Sequence, residues 1–298
     1  MIRCSSPFIS VEIDPNRGGA VTGIRSASTG DEWIYFDPKR RPEGASLENY
    51  DEVWCGGFEE LFPNDAAGVI DGRSLKDHGE LWQQPWKVLH QHVLGAKMTY
   101  TCSTVPAEIT KEILLNADSP ALTIRYSIRN TSSGTFPYLF KLHPAMRIDS
   151  GDTILLPGGS VLPVSLDFST IIGSEGPFSW PKVKDRRNAA ADLSVIPDRD
   201  LGHQEFIYVK DLPAGSCGLR RKATGEEFII EFPQEVFPYT WMFMALGGWR
   251  EYYTVVLEPC TNFPKDMTTA IANGTSAVMQ PNEHKTFSIT ISLRSHHE

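Results

Sequence analysis

Hydrophobic and polar residues alternate in several short segments of the chain, which is the pattern of a half-buried β-strand. The clearest segments are residues 9 to 13 (ISVEI), 122 to 128 (LTIRYSI) and 287 to 293 (FSITISL). Residues 21 to 36 (VTGIRSASTGDEWIYF) predict two further short strands. The alternation predicts strands with one face against a core and one face in water.

Turn-forming clusters rich in Gly, Pro, Asn, Asp and Ser separate these segments at short intervals, and no long helical periodicity competes with them. Strands that recur without intervening helices favour antiparallel pairing. We therefore predict an all-β fold, a large antiparallel β-sandwich that forms a single domain over residues 1–298. Residues 158–203 are rich in Pro, Gly and charge, and we predict a long irregular excursion there that walls one side of a site.

Composition narrows the classes of partner. The 298 residues carry a net charge of −9, and no run of Lys and Arg is longer than three residues, which argues against a nucleic-acid partner. Five scattered cysteines without CxxC pairs indicate reduced thiols in the cytoplasm. No segment is typical of a signal peptide or a membrane span, so no membrane partner is expected. A homodimer is compatible with the sequence but is not predicted by it.

Three segments place titratable residues among apolar or aromatic neighbours, where a buried charge needs a partner or a purpose. They are DHGELW around His78, FKLHPAM around His143 and VVLEPCT around Glu258. Glu258 follows an apolar run that predicts a buried strand, and the next residue, Pro259, cannot continue a central ladder. Each residue has an ordinary structural alternative: a loop histidine at 78, a core histidine at 143, and a glutamate that closes a turn or pairs with Lys265.

Taken together, the segments resemble a known family. GGFEELFP is followed about twenty residues later by HGELWQQPW, then by LHPAM and finally by LEPCT, while GGAVTGIRSASTG comes near the start. This order is similar to that of the galactose mutarotase-like family, the aldose 1-epimerases, over roughly residues 8 to 293. The resemblance implies an isomerase on a supertwisted open β-sandwich that binds a monosaccharide in a shallow cleft. It also implies that Glu258 is the general base, that His143 is the general acid and that His78 orients the sugar or assists at its ring oxygen.

These residue types suit the chemistry that the resemblance implies. Interconverting α and β anomers requires a base for the anomeric hydroxyl and an acid for the ring oxygen. A carboxylate with a reference pKa of about 4.3 and a histidine of about 6.5 provide both at neutral pH. No cofactor is expected, since the sequence lacks a P-loop, a GxGxxG fingerprint after a strand and a cluster of zinc ligands.

Sugars present apolar C–H faces and a rim of hydroxyls, so aromatic, amide and carboxylate side chains are candidates for binding them. Trp82, Trp249 and Arg250 are candidates for stacking. Asp77, Glu59, Glu60 and Asn64 are candidates for hydrogen bonds to hydroxyls. For each of these residues, ordinary packing or a solvated turn is the alternative.

Some expected features of the family are absent. Residues 54 to 57 (WCGG) stand where the phosphosugar branch carries an arginine, which weakens a sugar-phosphate 1-epimerase interpretation, although Arg73 and Lys76 offer charge nearby. A non-catalytic carbohydrate-binding protein on the same fold is the main alternative. A lyase or hydrolase would need a second carboxylate opposite Glu258, for which Glu60 is the candidate.

Overall fold

The computed structural model describes residues 1–41 and 49–295. Those residues contain two short α-helices, α1 (Tyr50–Val53) and α2 (Met267–Ala272). The strands, in chain order, are β1 (Ile2–Ser5), β2 (Ile9–Asp14), β3 (Ala20–Ser26), β4 (Phe58–Leu61), β5 (Gly68–Ile70), β6 (Arg73–Leu75), β7 (Lys87–His92), β8 (Gly95–Thr101), β9 (Ala107–Leu115), β10 (Ala121–Asn130), β11 (Phe136–Tyr138), β12 (Lys141–Arg147), β13 (Thr153–Leu155), β14 (Ser160–Pro163), β15 (Phe178–Ser179), β16 (Lys182–Lys184), β17 (Ala190–Asp192), β18 (His203–Lys210), β19 (Ser216–Arg220), β20 (Glu227–Glu231), β21 (Tyr239–Leu246), β22 (Tyr253–Cys260), β23 (Ala277–Met279) and β24 (His284–Arg294). Within the described ranges, no helix is both long and apolar enough to cross a lipid bilayer.

The described part of the chain contains two large antiparallel sheets and three small two-stranded ones. The ten-stranded sheet has the order β1-β2-β3-β4-β12-β22-β21-β18-β14-β15, and the eight-stranded sheet has the order β13-β19-β20-β24-β10-β9-β8-β7. Apolar side chains from both sheets form one large buried cluster between them. The predicted antiparallel all-β sandwich is therefore confirmed.

The alternating segments lie where the pattern predicts strands, in β2, β10 and β24. In β9, every second side chain is buried, as expected for a strand with one wet face. The segment after β3 differs from the prediction, because residues 32–36 make only isolated bridges, such as Ile34 to Met146, instead of a continuous third strand. Trp33 and Ile34 are nevertheless fully buried, so this segment contributes to the core without regular pairing.

The central strands of the ten-stranded sheet are buried on both faces. In β4, β12 and β22, almost every residue is buried, without alternation. One face packs on the core between the sheets, and smaller aromatic clusters cover the other face. Because side chains alternate between faces, Glu59 and Glu60 of β4 must point in opposite directions. The same rule puts Lys141 and His143 of β12 on one face.

The predicted excursion at residues 158–203 is only partly irregular. It contains the four short strands β14 to β17, and β14 pairs with β18 at the end of the ten-stranded sheet. Val164, Ser165 and Phe168, just after β14, line the cleft described below. This part of the excursion therefore forms one wall of that cleft.

Candidate active site

A cleft of about 360 Å³ opens over the outer face of the ten-stranded sheet. Lys141 and His143 of β12 and Glu258 of β22 lie at its floor, and the loop after β6 contributes His78. The aromatic residues that line it are Tyr50, Trp54, Phe168, Phe206, Phe243 and Trp249. The three residues predicted to act in catalysis, which are 65 and 115 positions apart in sequence, therefore meet around one cavity.

Glu258 is held at the floor of the cleft by a buried lysine. Lys141 Nζ lies 2.5 Å from Glu258 Oε2 and 2.5 Å from Asp65 Oδ2, and all three side chains are at least nine-tenths buried. Burial raises the pKa of Glu258, and the Lys141 ammonium opposes this effect. Burial also acts to raise the pKa of Asp65, but Lys141 outweighs it and leaves that pKa below the ordinary value. One cation thus serves two carboxylates, and Glu258 is the more basic of the two.

His143 faces the second oxygen of the same carboxylate. Its Nε2 lies 3.8 Å from Glu258 Oε1, and the ring is only 5% exposed. Burial, together with the charge of Lys141, holds the pKa of His143 well below its usual value. The imidazole is therefore neutral at neutral pH and has one ring proton to give. A base and a neutral acid lie side by side at the cleft floor.

The other ring nitrogen of His143 is bound to a tyrosine. Tyr50 Oη lies 3.2 Å from His143 Nδ1 and 2.8 Å from Glu59 Oε2. Glu59 is 2% exposed, and burial raises its pKa to about 7 although the Tyr50 hydroxyl and Arg17 favour the charged form. Tyr50 comes from α1, and Glu59 lies next to His143 in the register of β4 and β12. The contacts continue from His143 through Tyr50 to a buried acid.

His78 lies above this group in a tight turn. Its ring stacks on Tyr50 with centroids 3.7 Å apart and planes 8° apart. Nδ1 lies 3.1 Å from Asp77 Oδ2, but the contact does not have hydrogen-bond geometry. His78 has a φ of 60°, which a side chain other than Gly adopts only under strain. The fold therefore holds this imidazole against the aromatic wall at some cost in backbone energy.

Gly79 allows this turn to approach β4. Its φ is 68°, and a Cβ there would lie 2.2 Å from the carbonyl oxygen of Phe62. Gly79→Ala should lower the free energy of unfolding by about 2 to 3 kcal/mol, because the clash adds to the left-handed backbone cost. Urea unfolding measures the loss. Gly72→Ala is the matched control, since its φ is 74° but no atom lies within 4 Å of its Cβ, and it should lose about 1 kcal/mol. Equal losses would show that the approach to Phe62 does not matter.

Comparisons with known proteins bear on the fold. No protein-family model matches the sequence, and no curated protein matches it significantly. Among solved structures, a protein from Synechocystis sp. PCC 6803 is 17% identical with a TM-score of 0.72, covering 99% of this chain and 96% of that one. A protein of Escherichia coli K12 proposed as an aldose 1-epimerase is 16% identical with a TM-score of 0.70 and 98% coverage of both chains. A galactose mutarotase related enzyme from Lactobacillus acidophilus is 14% identical with a TM-score of 0.67, covering 99% and 97%.

The chain has the galactose mutarotase-like fold. The superposition covers nearly the whole chain, so the fold that the sequence resemblance implies is confirmed. At these identities the likeness concerns the fold alone.

Five of the ten predicted site residues line the cleft of this galactose mutarotase-like fold. They are Asp77, His78, His143, Trp249 and Glu258. Trp82 differs from the prediction, because it is 4% exposed and packs edge-on against Tyr50 at 4.9 Å, underneath the lining. Glu59 is likewise behind the lining, bound to Tyr50. Neither residue is positioned to touch a ligand directly.

Three further predicted contacts lie away from the cleft. Glu60 faces the core between the sheets, where Lys111 Nζ lies 2.6 Å and the Tyr126 hydroxyl 2.6 Å from its Oε1, so it is not a second carboxylate opposite Glu258. The Asn64 amide donates to the backbone carbonyls of Asp65, Ala66 and Lys76, and thereby ties down the loop that leads to His78. Arg250 is exposed outside the cleft, with its guanidinium carbon 5.4 Å from the centroid of the Trp249 ring.

Among the residues of the site that the sequence interpretation missed, four surround Glu258 and His143. They are Tyr50, Trp54, Asp65 and Lys141. Lys141 could have been found, since it lies two positions before His143 in the segment FKLHPAM, and residues two apart share a face if such a segment is a strand. Tyr50 lies in the short helix α1 and Asp65 in an irregular segment, and strand alternation predicts the side-chain direction of neither. Among the described residues, no group of three or more His, Cys, Asp or Glu could hold a metal ion.

Proposed function

We propose that the protein is an aldose 1-epimerase that interconverts the α and β anomers of a free hexose or related pyranose. The observation that carries this proposal is the pairing of Glu258 Oε1 with His143 Nε2 at 3.8 Å on the floor of an aromatic cleft. The fold shared with a galactose mutarotase related enzyme supports it. A cytoplasmic location is part of the proposal, since all five cysteines are free thiols.

The reaction needs one proton removed and one delivered. Glu258 takes the proton of the anomeric hydroxyl, and its raised pKa makes it a stronger base than an exposed glutamate. His143 gives its Nε2 proton to the ring oxygen as the bond from that oxygen to the anomeric carbon breaks. The open aldehyde turns about its bond to the neighbouring carbon. Reversal of both proton transfers then closes the ring on the other face.

The remaining lining residues bind and orient the sugar. Trp249 and Phe243, which are partly exposed, offer flat apolar surfaces to the C–H faces of a pyranose. His78 and Asp77 lie at the lining with polar atoms for hydroxyl groups. A lining of aromatic faces with a few polar groups is typical of sites that bind small ligands.

The charges in the cleft favour an uncharged sugar over a sugar phosphate. Its described lining carries four carboxylates, Asp51, Asp65, Asp77 and Glu258, and only two lysines, Lys141 and Lys265. Lys141 is already engaged by two carboxylates. An added phosphate dianion would therefore meet a net negative surface.

The test is anomeric exchange measured by NMR over a panel of free and phosphorylated monosaccharides. We expect at least one free pyranose to exchange faster with the protein than without it, and its phosphate to exchange less. If no sugar exchanges faster than its uncatalysed rate, the proposal fails. Saturable sugar binding without exchange would identify a carbohydrate-binding protein instead.

A further inference from the structure

A hydrogen-bonded path leads from His143 away from the cleft to Glu59. Tyr50 Oη is within 3.2 Å of His143 Nδ1 and 2.8 Å of Glu59 Oε2, and none of the three residues is more than 5% exposed. A hydroxyl group has one proton, so Tyr50 can donate to only one of these neighbours at a time. The direction of both hydrogen bonds is therefore fixed by whether Glu59 carries a proton.

Two arrangements of protons allow both hydrogen bonds of this path to form. When Glu59 is ionised, Tyr50 donates to the carboxylate and accepts the Nδ1 proton of His143, which leaves Nε2 without a proton. When Glu59 is protonated, its own O–H donates to the Tyr50 oxygen, and Tyr50 donates to Nδ1. The single proton of the neutral imidazole must then be on Nε2, where it faces the cleft. Only this second arrangement lets His143 act as an acid toward a sugar.

We propose that Glu59, acting through Tyr50, is a positioning residue that sets the tautomer of His143 and replaces the proton that this histidine delivers. The inference rests on the proposed function, in which His143 protonates the ring oxygen. It changes the interpretation of Glu59 from a sugar contact to the source of the proton.

The proton transfers balance. As the bond between the anomeric carbon and the ring oxygen breaks, its electron pair stays on that oxygen, which takes the Nε2 proton of His143. Nδ1 then gains the proton of Tyr50, and Tyr50 gains the proton of Glu59. Glu258 holds the proton of the anomeric hydroxyl, whose O–H electron pair becomes part of the new carbonyl group. Ring closure runs the same transfers backwards, and Glu59 ends protonated again.

The surroundings of Glu59 allow it to hold a proton near neutral pH. The other charged or titratable groups that act on it are Arg17, Arg41, Cys55, Glu60 and His78. Burial is the largest influence and raises the pKa of Glu59 to about 7, against the effects of Tyr50, Arg17 and His78. His143 itself stays neutral in this range, because burial holds its pKa well below the usual value. A pH change near 7 therefore acts on Glu59 and not on the imidazole.

The direct test is the tautomer of His143, observed in long-range ¹H–¹⁵N spectra of ring-labelled protein and assigned by its absence in His143→Asn. Between about pH 5.5 and about pH 8.5, the wild-type ring should change from the Nε2–H to the Nδ1–H form. Glu59→Gln and Tyr50→Phe should abolish the change, and the tyrosine substitution keeps an aromatic ring to stack on His78. Glu226→Gln is the matched control, because Glu226 is also a buried glutamate and accepts hydrogen bonds from Ser26, Ser28 and Thr29. This variant should show the same tautomer change of His143 as the wild type. A wild-type tautomer that is constant, or a change that persists in Glu59→Gln, would overturn the inference.

The kinetic test uses the pH profile of anomeric exchange. In the wild type, kcat should fall above about pH 7 as Glu59 loses its proton. Glu59→Gln should lower kcat on the order of 10²-fold with little change in KM, and the fall above neutrality should disappear. If the His143 tautomer changes with pH but the protein does not catalyse anomeric exchange, only the proposed function is overturned. If the protein catalyses anomeric exchange but the His143 tautomer does not change with pH, only this inference is overturned.

Discussion

Replacing Glu258 by glutamine should lower kcat for anomeric exchange by about 10³-fold, within the range typical of a lost general base. The amide cannot take the proton of the anomeric hydroxyl, yet its oxygen can still accept the Lys141 hydrogen bond made at 2.5 Å. The change also leaves Lys141 with one carboxylate, Asp65, so the buried charges balance and the fold should not weaken. Sugar affinity should change little, because the lost interaction belongs to the reaction and not to binding.

Exchange NMR and sugar titration measure the two quantities on the same samples. Glu231→Gln is the control, since Glu231 lies on β20 of the other sheet, half-exposed and 3.1 Å from Arg294, and it should exchange at the wild-type rate. Undiminished exchange in Glu258→Gln would remove Glu258 from the chemistry. Loss of sugar binding together with exchange would instead show that the carboxylate serves to hold the ligand.

Much of the fold follows from alternation along the chain. Strands such as β10 and β24 have one face in the core and one nearer to water, so their pattern is explicit in the sequence. The strands that carry the site, β12 and β22, are buried on both faces and lose that pattern. His143 and Glu258 stand out for this reason, because a titratable residue within a continuous apolar run needs a partner.

The residues that surround His143 and Glu258 could not be predicted in the same way. Tyr50 comes from the four-residue helix α1 and Asp65 from an irregular segment, and the directions of both side chains depend on tertiary packing. Glu59 and Glu60 are adjacent and equivalent in sequence, but opposite faces of β4 send one to Tyr50 and the other to Lys111. The roles of such residues depend on which neighbours reach them, and these neighbours are distant in sequence. Trp82 is a similar case: its ring packs underneath Tyr50 and therefore does not line the cleft, which its sequence position does not reveal.

Lys141→Met should lower the free energy of unfolding at neutral pH by about 3 to 5 kcal/mol, because removing one partner leaves buried charges without compensation. Asp65 and Glu258 would both lose the ammonium that lies 2.5 Å from each. Methionine fills a similar volume, so the loss reports charge and not a cavity. Urea unfolding at neutral pH measures it, and a loss below about 1 kcal/mol would show that the two carboxylates do not need Lys141.

The pH dependence of this loss has a definite sign. In the wild type, Lys141 holds the pKa of Asp65 below its ordinary value, so the stability from this pair is lost only as pH falls through that lowered pKa. In Lys141→Met, both carboxyl groups should have raised pKa values, and the folded state should bind more protons than the unfolded state. The deficit should therefore shrink as pH falls from 7 toward about 4. The double variant Lys141→Met with Glu258→Gln removes one of the two uncompensated charges, and it should recover about half of the loss at neutral pH. A deficit that is independent of pH, or a double variant less stable than Lys141→Met alone, would contradict the view that one buried cation stabilises two carboxylates.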